Sequence, residues 1–443
     1  MPPAASMLAT SRAGRTIVSV AHFVGVTLAA CNPSAHSQTV IGRTQIMTTS
    51  SYPIRFASPG RTSALNVATP AKGILGWSQP IGTSSSPEWP PTVLDWGGRP
   101  VVVTPTHLTV FDSQGTRLWT QERQVGTPAV VFGGHLYFKG KHRFIDAVDS
   151  RFQAFLNQVP FPGAMSAAVR VSLFWPRETD FVAVLQVPGD GEVPEGSPPD
   201  TVLAQPYTTL LKNRYPTTYG DWRIDLPGEL RLPPLLLPAH HVMAIATTEV
   251  VRVDVERFEE LSRFPLPLPE LVDWSVSADE VYTVTGYDKR HKVLLAVAST
   301  GEVLWRWTDT ADTDRWAGQQ PPVRSSGDRI YALTDGRVLA FERGKLLWVF
   351  DARDAALKHG ARVDEGSFEI KDGRLLARGS LRHASALADG SLLVTGNRTL
   401  HHLSPNGRVI FQVNVGEDIL SPPVVDSDGH IFIASASRLM RID

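Results

Sequence analysis

Only one of the 443 residues is a cysteine, Cys31, so the chain can form no internal disulfide and cysteine pairing says nothing about redox compartment. Neither sign of charge is in excess. With 43 basic and 44 acidic residues the formal net charge is −1, which excludes the basic surplus of a nucleic-acid binder and the acidic run of a solvating tail. Long apolar runs are also missing. The run at residues 16–30 is about 15 residues long, short of the ~20 that a spanning helix needs, and no other segment qualifies. There is no Gly-x-Ser-x-Gly, no His-Glu-x-x-His and no phosphate loop. What remains is an ordinary globular composition, 42% hydrophobic and 20% charged, with 35 Gly and 34 Pro to supply many short turns.

The N-terminus has signal-peptide layout: Arg12 and Arg15 precede the apolar run. The run ends Leu28-Ala29-Ala30-Cys31, which resembles the lipobox of bacterial lipoproteins. The resemblance implies that residues 1–30 are removed and that the mature chain is anchored to a membrane through lipid on Cys31. Two or more acyl chains hold such a protein stably. In Gram-negative lipoproteins an Asp after the cysteine favours the inner membrane. Asn32 therefore points to the periplasmic face of the outer membrane, if the host is Gram-negative. Residues 31–72 are rich in Ser, Thr, Pro, Ala and Gly without periodicity, and read as a tether spanning roughly 35 Å.

From residue 73 onward a phrase recurs. Leu108 to Trp119, Leu294 to Trp305 and Val338 to Trp348 each read as a strand, a Gly turn and a second strand closing on Trp; the third copy is one residue shorter. Upstream of the phrase lies a Pro-rich entry (Pro321-Pro322-Val323, Pro422-Pro423-Val424), then a tight turn and an apolar strand such as Ile330-Tyr331-Ala332-Leu333. Four short strands per unit at roughly 42-residue spacing is the pattern of a propeller blade. The closing aromatics are assigned to Trp77, Trp119, Phe155, Trp222, Phe264, Trp305, Trp348 and Phe411. The last residues, 438–443, look like a third strand without a fourth, and Ile74-Leu75-Gly76-Trp77 like a fourth without a blade. Pairing them removes two exposed edges. The expectation is an all-β, eight-bladed propeller over residues 73–443, or seven blades if the second is miscounted.

The Ala296–Trp305 and Phe111–Trp119 stretches resemble the repeats of pyrroloquinoline-quinone-type propellers, whose consensus runs Ala-Leu-Asp, Thr-Gly, Leu-Trp. Among propellers carried by lipoproteins, the chain looks most like the one of the β-barrel assembly machinery. The resemblance leaves two chemistries in view. Quinoprotein dehydrogenases hold the quinone and a metal ion on the axis, often against a disulfide between adjacent cysteines, and this chain has no Cys-Cys pair. The glycine–tryptophan element matched here is the structural one. The reading is therefore a non-enzymatic envelope scaffold for a protein partner, a monomer without cofactor, metal or nucleic acid. A small-molecule or sugar binder and a quinone oxidoreductase are the alternatives.

Other residues invite chemistry and read more simply. His240-His241 and His401-His402 are neighbours, so on strands they face opposite ways and cannot share an ion; they read as surface or turn-proximal residues. Asp426-Ser427-Asp428-Gly429 lacks the rest of a calcium loop and reads as a β-turn. Asp309, Asp312 and Asp314 read as a solvated acidic loop. In a four-stranded meander the turn between strands two and three shares a face with the link to the next blade. The long segments fall there: 187–206, 225–238, 265–271, 308–320 and 351–379. Two are apolar, and exposed apolar patches mark partner sites. Leu232, Leu235, Leu236, Leu266 and Trp316 are the candidate partner-binding residues.

Overall fold

The computed structural model describes most of residues 72–443; residues 1–71, the segments 83–89, 124–128, 152–158, 161–169, 188–206, 215–221 and 353–367, and some shorter turns lie outside the described residues. The lipidation site Cys31 and the tether are therefore not described, and neither is Phe155.

Among the described residues there are eight four-stranded antiparallel sheets. Sheets 1 to 7 are consecutive along the chain, at residues 92–122, 129–160, 170–227, 235–265, 270–309, 323–351 and 381–414. In each, hydrogen-bonding order follows chain order. Sheet 8 joins the two ends of the described chain. Its strands Val424–Val425, Ile431–Ala434 and Arg438–Ile442 are completed by Leu75–Pro80. A two-stranded sheet, Phe368–Lys371 with Arg374–Ala377, lies between sheets 6 and 7 in sequence, inside a segment expected to be loop. Residues 225–238, also expected to be loop, contain the end of the strand Trp222–Pro227 and all of Leu235–Leu237.

Burial along the strands explains why the repeat is readable. Second and third strands are covered on both faces: Leu392–Gly396 and Ile431–Ala434 are buried throughout, as is Arg337–Glu342 apart from its ends. Such strands become unbroken aliphatic runs. The fourth strand lies at the sheet edge and alternates, as in Val303–Asp309. The Pro-rich entries precede first strands, which form the other edge, where a missing N–H costs no ladder bond. Their carbonyls are used between sheets: Ser275 Oγ donates to Pro322 O (2.7 Å) and Ser385 Oγ to Pro423 O (2.9 Å).

The closing aromatic is aimed by a β-bulge. The register slips at the same place in sheets 1, 5, 6 and 7, as where Val110 faces Trp119 while Phe111 faces Arg117, and Ala340 faces Trp348 while Phe341 faces Leu346; in sheet 4 it slips at Leu261, three residues before Phe264. The residue skipped in sheets 1, 5, 6 and 7 (Leu118, Leu304, Leu347, Ile410) directly precedes the aromatic. One extra residue on an edge strand bends it and re-aims the next side chain. The aromatic then packs on the following sheet, over the glycine of its third-to-fourth-strand turn. Phe264 meets Gly301, Trp305 meets Gly344, Trp348 meets Gly407 and Trp77 meets Gly115. The indole N–H groups of Trp77 and Trp348 donate to Ser113 O (3.1 Å) and Pro405 O (3.0 Å), two residues before those glycines. The short third copy is explained by its turn. Arg343 and Gly344 both have positive φ (48° and 80°), the two-residue form of the hairpin, in place of the longer turn at Asp112–Thr116.

Gly73 shows how the two chain ends fit. Sheet 8 has no third-to-fourth turn, because the chain breaks there. Gly73 (φ +59°) takes the turn glycine's place against Phe411 of sheet 7. Ile74 N donates to Asp443 O (2.9 Å) and Asp443 N to Ile74 O (2.8 Å) across the break. Arg441 reaches the same turn carbonyl as Trp77, Ser113 O (2.6 Å).

At Gly407 a methyl group would lie 2.8 Å from the Trp348 ring, and φ is +77°. Gly407→Ala is expected to destabilise the protein by about 2 kcal/mol, from the left-handed backbone and the overpacked ring together. Urea unfolding measures it; an unchanged midpoint would separate the glycine from the packing of sheet on sheet.

Candidate functional site

The turns between second and third strands sit at the same end of the sheets as the links between sheets, and hydrogen bonds tie the two together. Arg123 N donates to Thr106 O, Ala352 N to Gly336 O, and Val415 N to Arg398 O. Each link then crosses the equivalent turn of the next sheet. Ile419 bridges to Ser435, and Trp316 to Thr334.

That equivalence corrects the reading of Trp316 as an exposed anchor. Trp316 is 4% exposed; its equivalent in the repeat, Ile419, is fully buried. The Trp316 indole donates to Gly286 O (2.8 Å), its backbone N–H to the Tyr287 hydroxyl (3.0 Å), and its ring meets Trp307 edge-on at 6.3 Å. It welds the link to the sheet before it. Leu232 and Leu235 are likewise buried, in the core shared by sheets 4 and 5. All three side chains are buried in this conformation, and the apolar stretch that carries Leu235 includes a first strand where a loop was expected. Leu236 lies on that strand, and Leu266 lies outside the described residues.

Asp309 and Asp314 are not solvated. Asp309 and Asp314 are occupied by cations from two sheets; Asp312 lies outside the described residues. Lys292, 3% exposed, places Nζ 2.9 Å from Asp314 Oδ1 and 3.3 Å from Asp309 Oδ2, and also donates to the Asp314 carbonyl (2.8 Å). Arg337 binds Asp314 through two nitrogens, Nε at 2.8 Å and NH2 at 2.6 Å, and reaches Asp309 at 3.2 Å. The Thr334 hydroxyl also donates to Asp314. Burial alone would raise the Asp314 pKa, but the hydrogen bonds from Arg337, Thr334 and Lys292 outweigh it and hold the carboxyl below its usual range. The Arg337 pKa rises, first through its hydrogen bond to Asp314. Sheet 8 repeats the device in milder form. Glu417, two residues before Ile419, accepts from Ser435 Oγ (2.6 Å) and Ser437 Oγ (3.0 Å). Such a clamp fixes a link to the sheets on either side of it.

The remaining candidates resolve as structure. Asp426 Oδ1 accepts from the backbone of Asp428 (3.0 Å) and His430 (2.8 Å), and Asp112 Oδ1 makes the same pair of bonds with Gln114 and Thr116. Asp426, Asp428 and His430 bring three ligand-type atoms within 4.8 Å, but this is the repeat's ordinary turn with His430 Nδ1 on Asp426 Oδ2 at 3.0 Å. His401 and His402 do face opposite ways, against Phe350 and Phe411, yet neither is a surface residue: they are 4% and 3% exposed. The Ser391 hydroxyl donates to Asp389 (2.6 Å), so His402 Nε2 donates to Ser391 Oγ (2.9 Å). Burial lowers the His402 pKa, against the pull of the nearby Asp389 charge.

One surface feature was not read from the sequence. The bulge residues are exposed aliphatics: Leu118 40%, Leu304 48%, Leu347 37% and Ile410 51%. The recurring Leu-Trp pair carries the signal, since the leucine falls where the strand bulges.

No protein-family profile matches the sequence, and no curated protein does. Solved structures do match. The chain is similar to BamB from Moraxella catarrhalis at 12% identity and a TM-score of 0.47, covering 83% of this chain and 98% of that one. It is similar to the quinohemoprotein alcohol dehydrogenase from Comamonas testosteroni at 11% identity and a TM-score of 0.58, covering 90% of this chain and 81% of that one. Both are pyrroloquinoline-quinone-repeat β-propellers. At these identities the likeness speaks for the fold alone, and the fold of this chain is that of a β-propeller.

Proposed function

We propose that the eight sheets are the blades of one propeller, closed where Leu75–Pro80 pairs with Arg438–Ile442, and that the protein is a non-enzymatic scaffold for a protein partner in the cell envelope, lipid-anchored at Cys31. The observation that carries the partner-binding reading is the row of exposed bulge residues, Leu118, Leu304, Leu347 and Ile410, on the outer edges of four sheets. Exposed aliphatic side chains on a rigid frame suit a protein surface better than a small polar ligand. The inward charge clamp supports the same reading, since Asp309, Asp314, Lys292 and Arg337 satisfy one another. Leu236 and Leu266 remain candidate contacts. The quinone-oxidoreductase reading rests on fold likeness alone.

The test is cross-linked capture from native envelope, with wild type beside a Leu304→Glu, Leu347→Glu double variant and a Cys31→Ser variant. Loss of the captured protein in the double variant, with unchanged thermal stability, supports the scaffold. Unchanged capture by the double variant counts against these contacts, and Cys31→Ser that stays with the membrane fraction counts against the anchor.

A further inference from the structure

An edge strand invites pairing with another chain, and natural sheets blunt their edges with bulges, prolines or very short strands. Seven of the eight fourth strands are blunted in this way. In sheets 1, 4, 5, 6, 7 and 8 the register between third and fourth strands is broken by a bulge. In sheet 2 the fourth strand is two residues long, Val159–Pro160, and ends in proline. Sheet 3 is the exception. Its fourth strand, Trp222–Pro227, pairs with Tyr207–Arg214 in unbroken register, from Lys212 opposite Trp222 to Tyr207 opposite Pro227. Among the described residues no strand pairs with its other side.

Along a regular strand the faces alternate, so Trp222, Ile224 and Leu226 belong to one face and Arg223 and Asp225 to the other. Charges can themselves guard an edge. These two do not, because the segment is complementary to itself in the antiparallel sense. With Ile224 opposite Ile224 of a second copy, Arg223 stands opposite Asp225 of that copy and Asp225 opposite its Arg223; Trp222 and Leu226 are matched in the same way. Opposite charges directly across an antiparallel pair stabilise it, and like charges destabilise it. The register is specified as well. Sliding by two residues, the smallest shift that keeps the faces, brings Arg223 onto Arg223 or Asp225 onto Asp225. The matched register also obeys a two-fold axis, under which residue i meets j and j meets i.

We propose that the fourth strand of sheet 3 is a self-association edge, through which two copies of the chain pair antiparallel over residues 222–226 about a two-fold axis at Ile224. Pro227, which has no N–H to give, ends the paired segment. So short a segment makes a small interface, and the dimer is weak and concentration-dependent. The sequence alone reads as a monomer. The edge is separate from Leu118, Leu304, Leu347 and Ile410, which lie on sheets 1, 5, 6 and 7, so this proposal and the envelope-partner reading fail independently.

Sedimentation velocity of the full chain from about 1 to about 200 µM tests it. Wild type is expected to move from monomer toward dimer across that range. Arg223→Asp alone and Asp225→Arg alone each set two like-charge pairs across the axis, and each is expected to weaken association about tenfold. An equimolar mixture of the two variants has opposite charges at both pairs and is expected to associate as wild type does, and so is the double variant Arg223→Asp, Asp225→Arg. Wild type that stays monomeric throughout, single variants that associate as tightly as wild type, or a mixture and double variant no tighter than the single variants would overturn the proposal.

Discussion

Asp314→Ala is expected to lower the unfolding free energy by about 3–5 kcal/mol, the effect of breaking a buried ion pair from one side. The magnitude follows from what is left behind. Lys292 is 3% exposed, and both its short contacts at the link, the Asp314 carboxylate and carbonyl, belong to the residue being truncated or to its backbone. Arg337 loses a two-point partner and keeps its contact with Asp309 at 3.2 Å. An ammonium that cannot reach water and has lost its nearest anion is the costly species, not the missing attraction itself. Asp314→Asn tests this distinction: it retains acceptor geometry for Thr334 and removes the charge, so it should recover only part of the loss. Equilibrium urea unfolding of the three proteins decides it. An Asp314→Ala cost below about 1 kcal/mol would place the cluster with ordinary surface pairs.

Trp348→Ala is expected to cost about 3 kcal/mol. The ring is half-buried, yet it faces Gly407 of the next sheet, lies 5.8 Å from the Tyr331 ring and donates its N–H to Pro405 O. Truncation opens a gap between two sheets and leaves the Pro405 carbonyl with Arg329 (2.7 Å) as its donor. Because Gly407 exists to admit that ring, the two sites should couple. In a Trp348→Ala background, Gly407→Ala loses its steric penalty and retains only the backbone strain of φ +77°. A double-mutant cycle with zero coupling would mean that ring and glycine act independently.

The fold was legible because a covered strand must be apolar along its whole length and a turn glycine must recur. Trp119, Trp305 and Trp348 could be placed on closing strands from the phrase, Trp77 from the lone strand at the chain start, and Phe264 and Phe411 from the spacing of the aromatics. Trp222 stands on its fourth strand as well, although the phrase is degenerate there. The site was much less legible. Trp316 and Ile419 occupy one place in the repeat, but the spacer to the following Pro-Pro differs in length, so the alignment that would have buried Trp316 is hidden. Asp309 and Asp314 look like a solvated loop because their cations lie far off in sequence. Lys292 is 22 residues before Asp314, and Arg337 is 23 after it. The bulge is invisible for another reason: one leucine more or less before a tryptophan changes no periodicity that a strand of six residues can display.

The account depends most on the junction of the chain ends, where Gly73 stands in for a turn glycine and Leu75–Pro80 supplies the missing edge strand. Thermal unfolding of a chain beginning at residue 81, with and without a synthetic peptide of residues 72–82, tests it directly. The predicted result is a markedly lower melting temperature that rises again as peptide is added, saturating at one equivalent bound. A truncated chain that melts where the longer one does, indifferent to the peptide, would contradict it.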